Sequence, residues 1–223
     1  MIIDLNIKNK NILVIGGGIE GTRKVKLLAN YKCNITIISK EFDNDIINYE
    51  KKYNLKLVRK NIEETDILDR FKEVFVIFAT TNDKYLNQKI INWAKNAKIL
   101  AYSTNEHEKS DFGLLSVINI DELIQIAIST SGKSPIMNKI IKNKIEGTIK
   151  NIIGNNDIEN IKIQEFARAH AKRHIENPKE RKDFLYSLIN NSEIQDLIKK
   201  DNIEKVKERI IKILDKLEDN KGR

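Results

Sequence analysis

The sequence predicts an α/β chain: a doubly wound parallel sheet at the N-terminal end, a small α+β segment after it, and a helical C-terminal part. Three observations predict this. Short apolar runs alternate with helical patterns from residue 11 to residue 102. The first of those runs leads straight into a glycine-rich turn. From about residue 151 onward the strand signals stop and the spacing is helical.

The first element is the stretch 11–24, NILVIGGGIEGTRK. Four consecutive apolar residues read as a buried strand over 11–15, and an amphipathic helix is expected over about 22–31. Between them Gly16, Gly18 and Gly21 fit G-x-G-x-x-G. The first glycine of that pattern permits a tight turn, the second lets a pyrophosphate approach the backbone, and the third lets helix and strand pack closely. The unpaired N–H groups and partial positive charge of the helix start then favour an anion. Gly16, Gly18, Ile19, Glu20 and Gly21 are therefore expected to hold a dinucleotide.

A second strand is expected at 34–39, a third at 55–58, a fourth at 74–79 and a fifth at 99–102, with a helix over 84–96 between the last two. Ligands of such sheets sit beyond the carboxyl ends of the strands. That rule gathers the glycine turn, Ser39–Glu41, Thr80–Asp83 and Ser103–Asp111 around one crevice. A ribose-binding acid should end the second strand, but the sequence there reads Ser39-Lys40-Glu41. Lys40 and Glu41 are expected to flank the adenosine, and Thr80, Thr81 and Asn82 to border the nicotinamide side. NAD is the expected cofactor, with NADP left open by Lys40.

Beyond Phe112 two further strands are expected, at 114–117 and 123–129, followed by the polar loop Thr130–Pro135 and a helix from about 136. Pro135 suits a first helical turn. Ser134 can cap that helix, or the loop with Lys133 can receive carboxylates or phosphates. The helical remainder breaks near Asn177-Pro178, and Phe166, Phe184, Leu185 and Leu188 are expected to pack inward. The tail 219–223 is expected to fray. The working division is 1–113, 114–150 and 151–223.

Composition narrows the classes. The 223 residues carry a net charge of +8, with 40% apolar and 32% charged residues. No run approaches the ~20 apolar residues of a membrane span. The N-terminus has no signal-peptide pattern, and Cys33 alone excludes an internal disulfide. A cytoplasmic protein with no membrane partner is expected. The excess positive charge is interleaved with acids at helical spacing, which reads as a solvated surface and not a nucleic-acid interface. His170 and His174 share a helix face, but Arg168, Lys172 and Arg173 surround them, so no metal site is expected. The loop 105–111, NEHEKSD, offers acids and a histidine that could move protons.

Taken together, these stretches resemble the precorrin-2 dehydrogenase/sirohydrochlorin ferrochelatase family, the dehydrogenase–chelatase module of siroheme synthase. The matching pieces are 14–24 (VIGGGIEGTRK), 78–83 (FATTND) with Asn87, Asp111-Phe112, and 128–135 (ISTSGKSP). Glu146 and the Glu180-Arg181…Phe184 pattern match as well. The resemblance implies a Rossmann-like fold, NAD-dependent oxidation of precorrin-2 to sirohydrochlorin, and a homodimer joined through the central segment. In some members iron insertion follows. It also implies that Lys133 and Ser134 contact the substrate. The family's catalytic aspartate ends an Asn-Val-Val-Asp segment that corresponds here to Tyr102-Ser-Thr-Asn105, so Asn105 stands at the reaction centre. An amide cannot act as the base. Glu106, His107, Glu108 or Asp111 would have to replace it, or the step would need no side-chain base. Leu115 stands where the family usually has proline. Two alternatives accompany this reading: a bifunctional enzyme that also inserts Fe²⁺, and a non-catalytic dinucleotide- or tetrapyrrole-binding protein.

Overall fold

The computed structural model describes residues 2–53, 55–62, 65–71 and 73–221. Two compact units divide it, Met1–Leu115 and Ser116–Arg223. In the first, β1 (Asn11–Ile15) leads through the glycine turn to α1 (Ile19–Leu28), then β2 (Asn34–Ser39), α2 (Asn44–Tyr53) and β3 (Lys56–Arg59). A 3-10 segment (Thr65–Phe71) precedes β4 (Val76–Ala79), α3 (Lys84–Asn96) and β5 (Leu100–Ser103).

The five strands are all parallel, in the order β3-β2-β1-β4-β5. Residues Ile12–Ile15 of β1 and all of β4 are buried, as expected of central parallel strands covered on both faces. One face carries Val14, Ile37 and Phe78 with Val25 and Leu28 of α1 and Ile46 of α2. The other carries Leu13, Ile38 and Ile77 with Leu68 and Leu86, Ile90, Ile91 and Ala94 of α3. The doubly wound sheet read from the sequence is thus borne out.

Local differences have physical causes. α1 begins at Ile19 and not near 22, because the glycine turn itself opens the helix, and residues 29–31 continue as a 3-10 turn. α2 was not expected: only Ile46 is fully buried, and its inner face is supplied by the stacked rings of Tyr49 and Tyr53.

The second unit opens with the antiparallel hairpin β6 (Ser116–Ile120) and β7 (Ile124–Ile128), which turns at Asp121 and Glu122, both at positive φ. Leu114 and Leu115 precede β6 and do not pair in it. Helix α4 (Pro135–Ile152) packs on the hairpin. Helices α5 (Asn155–His174), α6 (Pro178–Ile189), α7 (Ser192–Lys199) and α8 (Ile203–Lys221) form a bundle. Its core includes Ile163, Ala167, Phe184, Leu188, Ile194, Val206, Ile210 and Leu214, with Phe166 and Leu185 against it. Asn177 caps α6 immediately after the expected break. Asp219–Lys221 belong to α8, and Gly222 and Arg223 lie outside the described residues. Among the described residues no helix is long and apolar enough to cross a membrane.

Candidate functional site

The strand order reverses between β1 and β4, and this switch point places a crevice at their carboxyl ends. β1 delivers the glycine turn there, β4 delivers Thr80–Asp83, and β5 delivers the loop 104–111.

The four glycines of the turn do different things. Gly16 has φ +110°, and a Cβ on it would lie 2.7 Å from the Thr80 carbonyl oxygen. A Cβ on Gly17 would lie 2.5 Å from the Glu41 carbonyl oxygen, and one on Gly21 only 2.0 Å from the Gly16 carbonyl oxygen. Those three are required by the protein's own packing. Gly18 is different: an added Cβ there would meet nothing within 4 Å. Its φ of −83° suits any residue. The space above Gly18 is therefore open for a ligand.

Gly18 is also the N-cap of α1 and has no side chain to accept from the first-turn N–H groups. Thr22 N–H bonds back to the Gly18 carbonyl at 2.9 Å, so the helical ladder begins there. The N–H groups of the first turn face the crevice end, as an anion-binding helix start requires. Ile19 is 68% exposed beside them. Glu20 does not point a lone carboxylate at this site, because it pairs with Arg23 and with Lys24 (3.6 Å). Lys24 is nearly buried, its ammonium 4.9 Å from the centre of the Tyr102 ring, and burial lowers its pKa.

Thr80 is buried, and its hydroxyl lies 2.9 Å from the Ile15 carbonyl and 3.2 Å from that of Gly16. It pins β4 to the glycine turn. Thr81 is held by Asn87, Asp83 caps α3 by accepting from Tyr85 and Leu86 N–H, and Asn82 is exposed. Lys40 and Glu41 are exposed just past β2, next to the glycine turn, where Asp43 N–H bonds to the Gly17 carbonyl at 2.8 Å.

In the loop after β5, Asn105 is exposed, with its N–H 3.3 Å from the Ser103 hydroxyl. Glu106 is drawn between Lys84 and Lys109, each at 3.2 Å, and these two ammonium groups hold its carboxyl below the usual carboxylate range. Asp111 accepts from Ala101 N–H at 2.9 Å. Both acids are thus engaged. His107 sets its ring edge against Tyr102, and Glu108 is exposed.

In the second unit, Ser134 caps α4 by accepting from Met137 N–H at 3.2 Å. Its own hydroxyl proton remains available to donate. Thr130 closes the loop, accepting from Ser134 N–H and donating to the Ser134 carbonyl, both at 3.1 Å. Lys133 is exposed beside it. His170 and His174 each place Nδ1 against the carbonyl one turn back, at 3.0 and 2.9 Å.

The motif reading missed Gly17, whose contacts are as demanding as those of Gly16. It also missed the structural use of Asn87. A signal for the latter existed: Asn87 is the one amide on the stripe Leu86, Ile90, Ile91 and Ala94.

A family model described as "Putative NAD(P)-binding" matches residues 3–116, half of the chain and the whole of this crevice. The chain belongs to this family. A nicotinamide dinucleotide is accordingly its cofactor, and the open space over Gly18 fits one. A second model, described as sirohaem biosynthesis protein central, matches residues 123–148. The chain is 28% identical to the siroheme synthase of Buchnera aphidicola subsp. Acyrthosiphon pisum, over 88% of this chain and 40% of that protein. It is 28% identical to that of Blochmanniella floridana, over 96% and 45%. The chain thus spans less than half the length of the curated relatives it matches. A solved structure titled "SirC, precorrin-2 dehydrogenase" has the same fold, with TM-score 0.69 and 23% identity over 94% of this chain and 99% of that one. The resemblance to the siroheme synthase module is borne out.

Proposed function

We propose that this chain oxidises precorrin-2 to sirohydrochlorin with NAD as hydride acceptor. The carrying observation is the opening over Gly18, at an uncapped helix start and at the sheet's switch point. In this reading the backbone of Gly16, Gly18, Ile19, Glu20 and Gly21 holds the pyrophosphate. Lys40 and Glu41 flank the adenosine, and Thr80, Thr81 and Asn82 border the nicotinamide. The dinucleotide, when bound, supplies the hydride acceptor. The protein's share is to orient it against the substrate and to exclude water.

Asn105 marks the reaction centre, where it can hydrogen-bond but cannot take a proton. Glu106 is a poor replacement because Lys84 and Lys109, one at each carboxylate oxygen, stabilise its ionised form and so lower its proton affinity. Asp111 is spent on a backbone N–H. With Glu106 and Asp111 engaged, the proton lost with the hydride would go to His107 or Glu108, or directly to water. Lys133 and Ser134 would receive substrate carboxylates at the start of α4. Asp111 is engaged by a backbone N–H and Glu106 has Lys84 and Lys109 beside it, which disfavours a dication, so metal insertion is not part of the proposal.

A homodimer joined through residues 114–150 completes the reading. Among the described residues of α4 none is buried, and Ile136, Met137, Ile140 and Ile152 are exposed along it. Such an apolar surface calls for a partner.

The test is to mix the purified protein with precorrin-2 and NAD, and in parallel with NADP. Formation of the reduced dinucleotide together with the sirohydrochlorin spectrum is expected. Asn105 supports one rival, a non-catalytic binding protein, which predicts thermal stabilisation by ligand without turnover.

A further inference from the structure

Asn87 is a fully buried amide in the first turns of α3. A side chain with no exposure must bond within the protein. Its recorded partners all belong to one residue. Its Oδ1 accepts from Thr81 N–H at 3.1 Å and from the Thr81 hydroxyl at 2.7 Å, and its Nδ2 donates to the Thr81 carbonyl at 2.9 Å. The Thr81 hydroxyl also lies 3.1 Å from the Asp83 carbonyl, but its single proton is better placed towards Asn87. Donor, acceptor and hydroxyl of Thr81 are all fixed by one planar group, which sets both its position and its orientation.

Thr81 sits between Thr80, pinned to the end of β1, and exposed Asn82. This short rim follows β4, across the switch point from the glycine turn. An apolar residue at 87 would continue the core stripe of α3 equally well. What the amide adds is the geometry of the rim.

We propose that Asn87 is a positioning residue for the cofactor: through Thr81 it fixes the rim against which the nicotinamide half of the dinucleotide lies. The proposal rests on the dinucleotide reading of the crevice and is independent of the tetrapyrrole substrate.

The test compares NADH with ADP-ribose, which lacks the nicotinamide, by calorimetry on the full chain. Asn87→Leu should weaken NADH binding about tenfold and change ADP-ribose binding less than about twofold, the loss expected from misplacing contacts to one half of a ligand. Asn87→Asp, which keeps the acceptor and loses the donor, should fall between. If Asn87→Leu does not fold, Thr81→Val removes the 2.7 Å bond and carries the same comparison. Equal losses on both ligands, or none on either, would overturn the proposal. A wild-type protein that binds neither ligand would instead remove the dinucleotide reading, and the positioning role with it.

Discussion

The first unit and the segment 116–152 treat their apolar residues in opposite ways. The parallel sheet buries β1 and β4 under helices on both faces, and three of its four turn glycines are demanded by neighbouring backbone. The hairpin and α4 fully bury only Ile118; α4 half-buries Ile141, Ile145 and Ile149 and leaves Ile136, Ile140 and Ile152 to solvent. The difference teaches which surfaces are finished within one chain. A site made of backbone in a closed core can be complete in a monomer, whereas a helix that packs one face on a hairpin and leaves apolar residues exposed on another offers surface to a partner.

The strongest way to break this contrast is at Gly21. Gly21→Ala forces a Cβ against the Gly16 carbonyl, so it should destabilise the protein by about 3 kcal/mol, read from denaturant unfolding. An unchanged midpoint would mean the turn is looser than its contacts imply. Next comes the unfinished segment. Ile136→Asp with Ile140→Asp should weaken self-association by roughly 100-fold, about 2.7 kcal/mol, seen as a halved mass in sedimentation. Folding of the parallel sheet should be unaffected. A monomeric wild type would contradict the proposed role of α4.

A smaller effect is expected at Glu106. Lys84 and Lys109 depress its pKa, so its stabilising contribution is present above the ordinary carboxylate range and fades as pH falls through its lower folded value. The melting-temperature difference between wild type and Glu106→Gln should therefore be largest near pH 7, begin to shrink in the ordinary glutamate range at about pH 4, and vanish only once pH has fallen below the lowered folded value. The same variant should keep the pH profile of turnover, because Glu106 straps a loop and moves no proton. A profile that loses its acidic limb would make Glu106 the base.

Much of this was legible in the sequence, for identifiable reasons. β1, β2 and α3 have the expected bounds because a continuous apolar run, a run of β-branched residues and an aspartate cap each leave a local signature. α2 left none, since tyrosines and a single buried isoleucine do not make a clear apolar stripe. The hairpin turn was hidden because Asp121-Glu122 adopts positive φ without the glycine that usually announces it. Within the site, the glycine pattern and the separate tasks of Gly16, Gly18 and Gly21 were legible, but the packing demand on Gly17 was not. That demand comes from Glu41 and Phe42, residues further along the chain that only the fold brings near.

The most direct measurement is calorimetric titration of NAD into wild type and Gly18→Ala, with unfolding followed on both. An intact fold, an unchanged midpoint and at least a tenfold weaker Kd in the variant are predicted, because the added methyl meets only the ligand. Equal binding by the two proteins would contradict the placement of the pyrophosphate over Gly18.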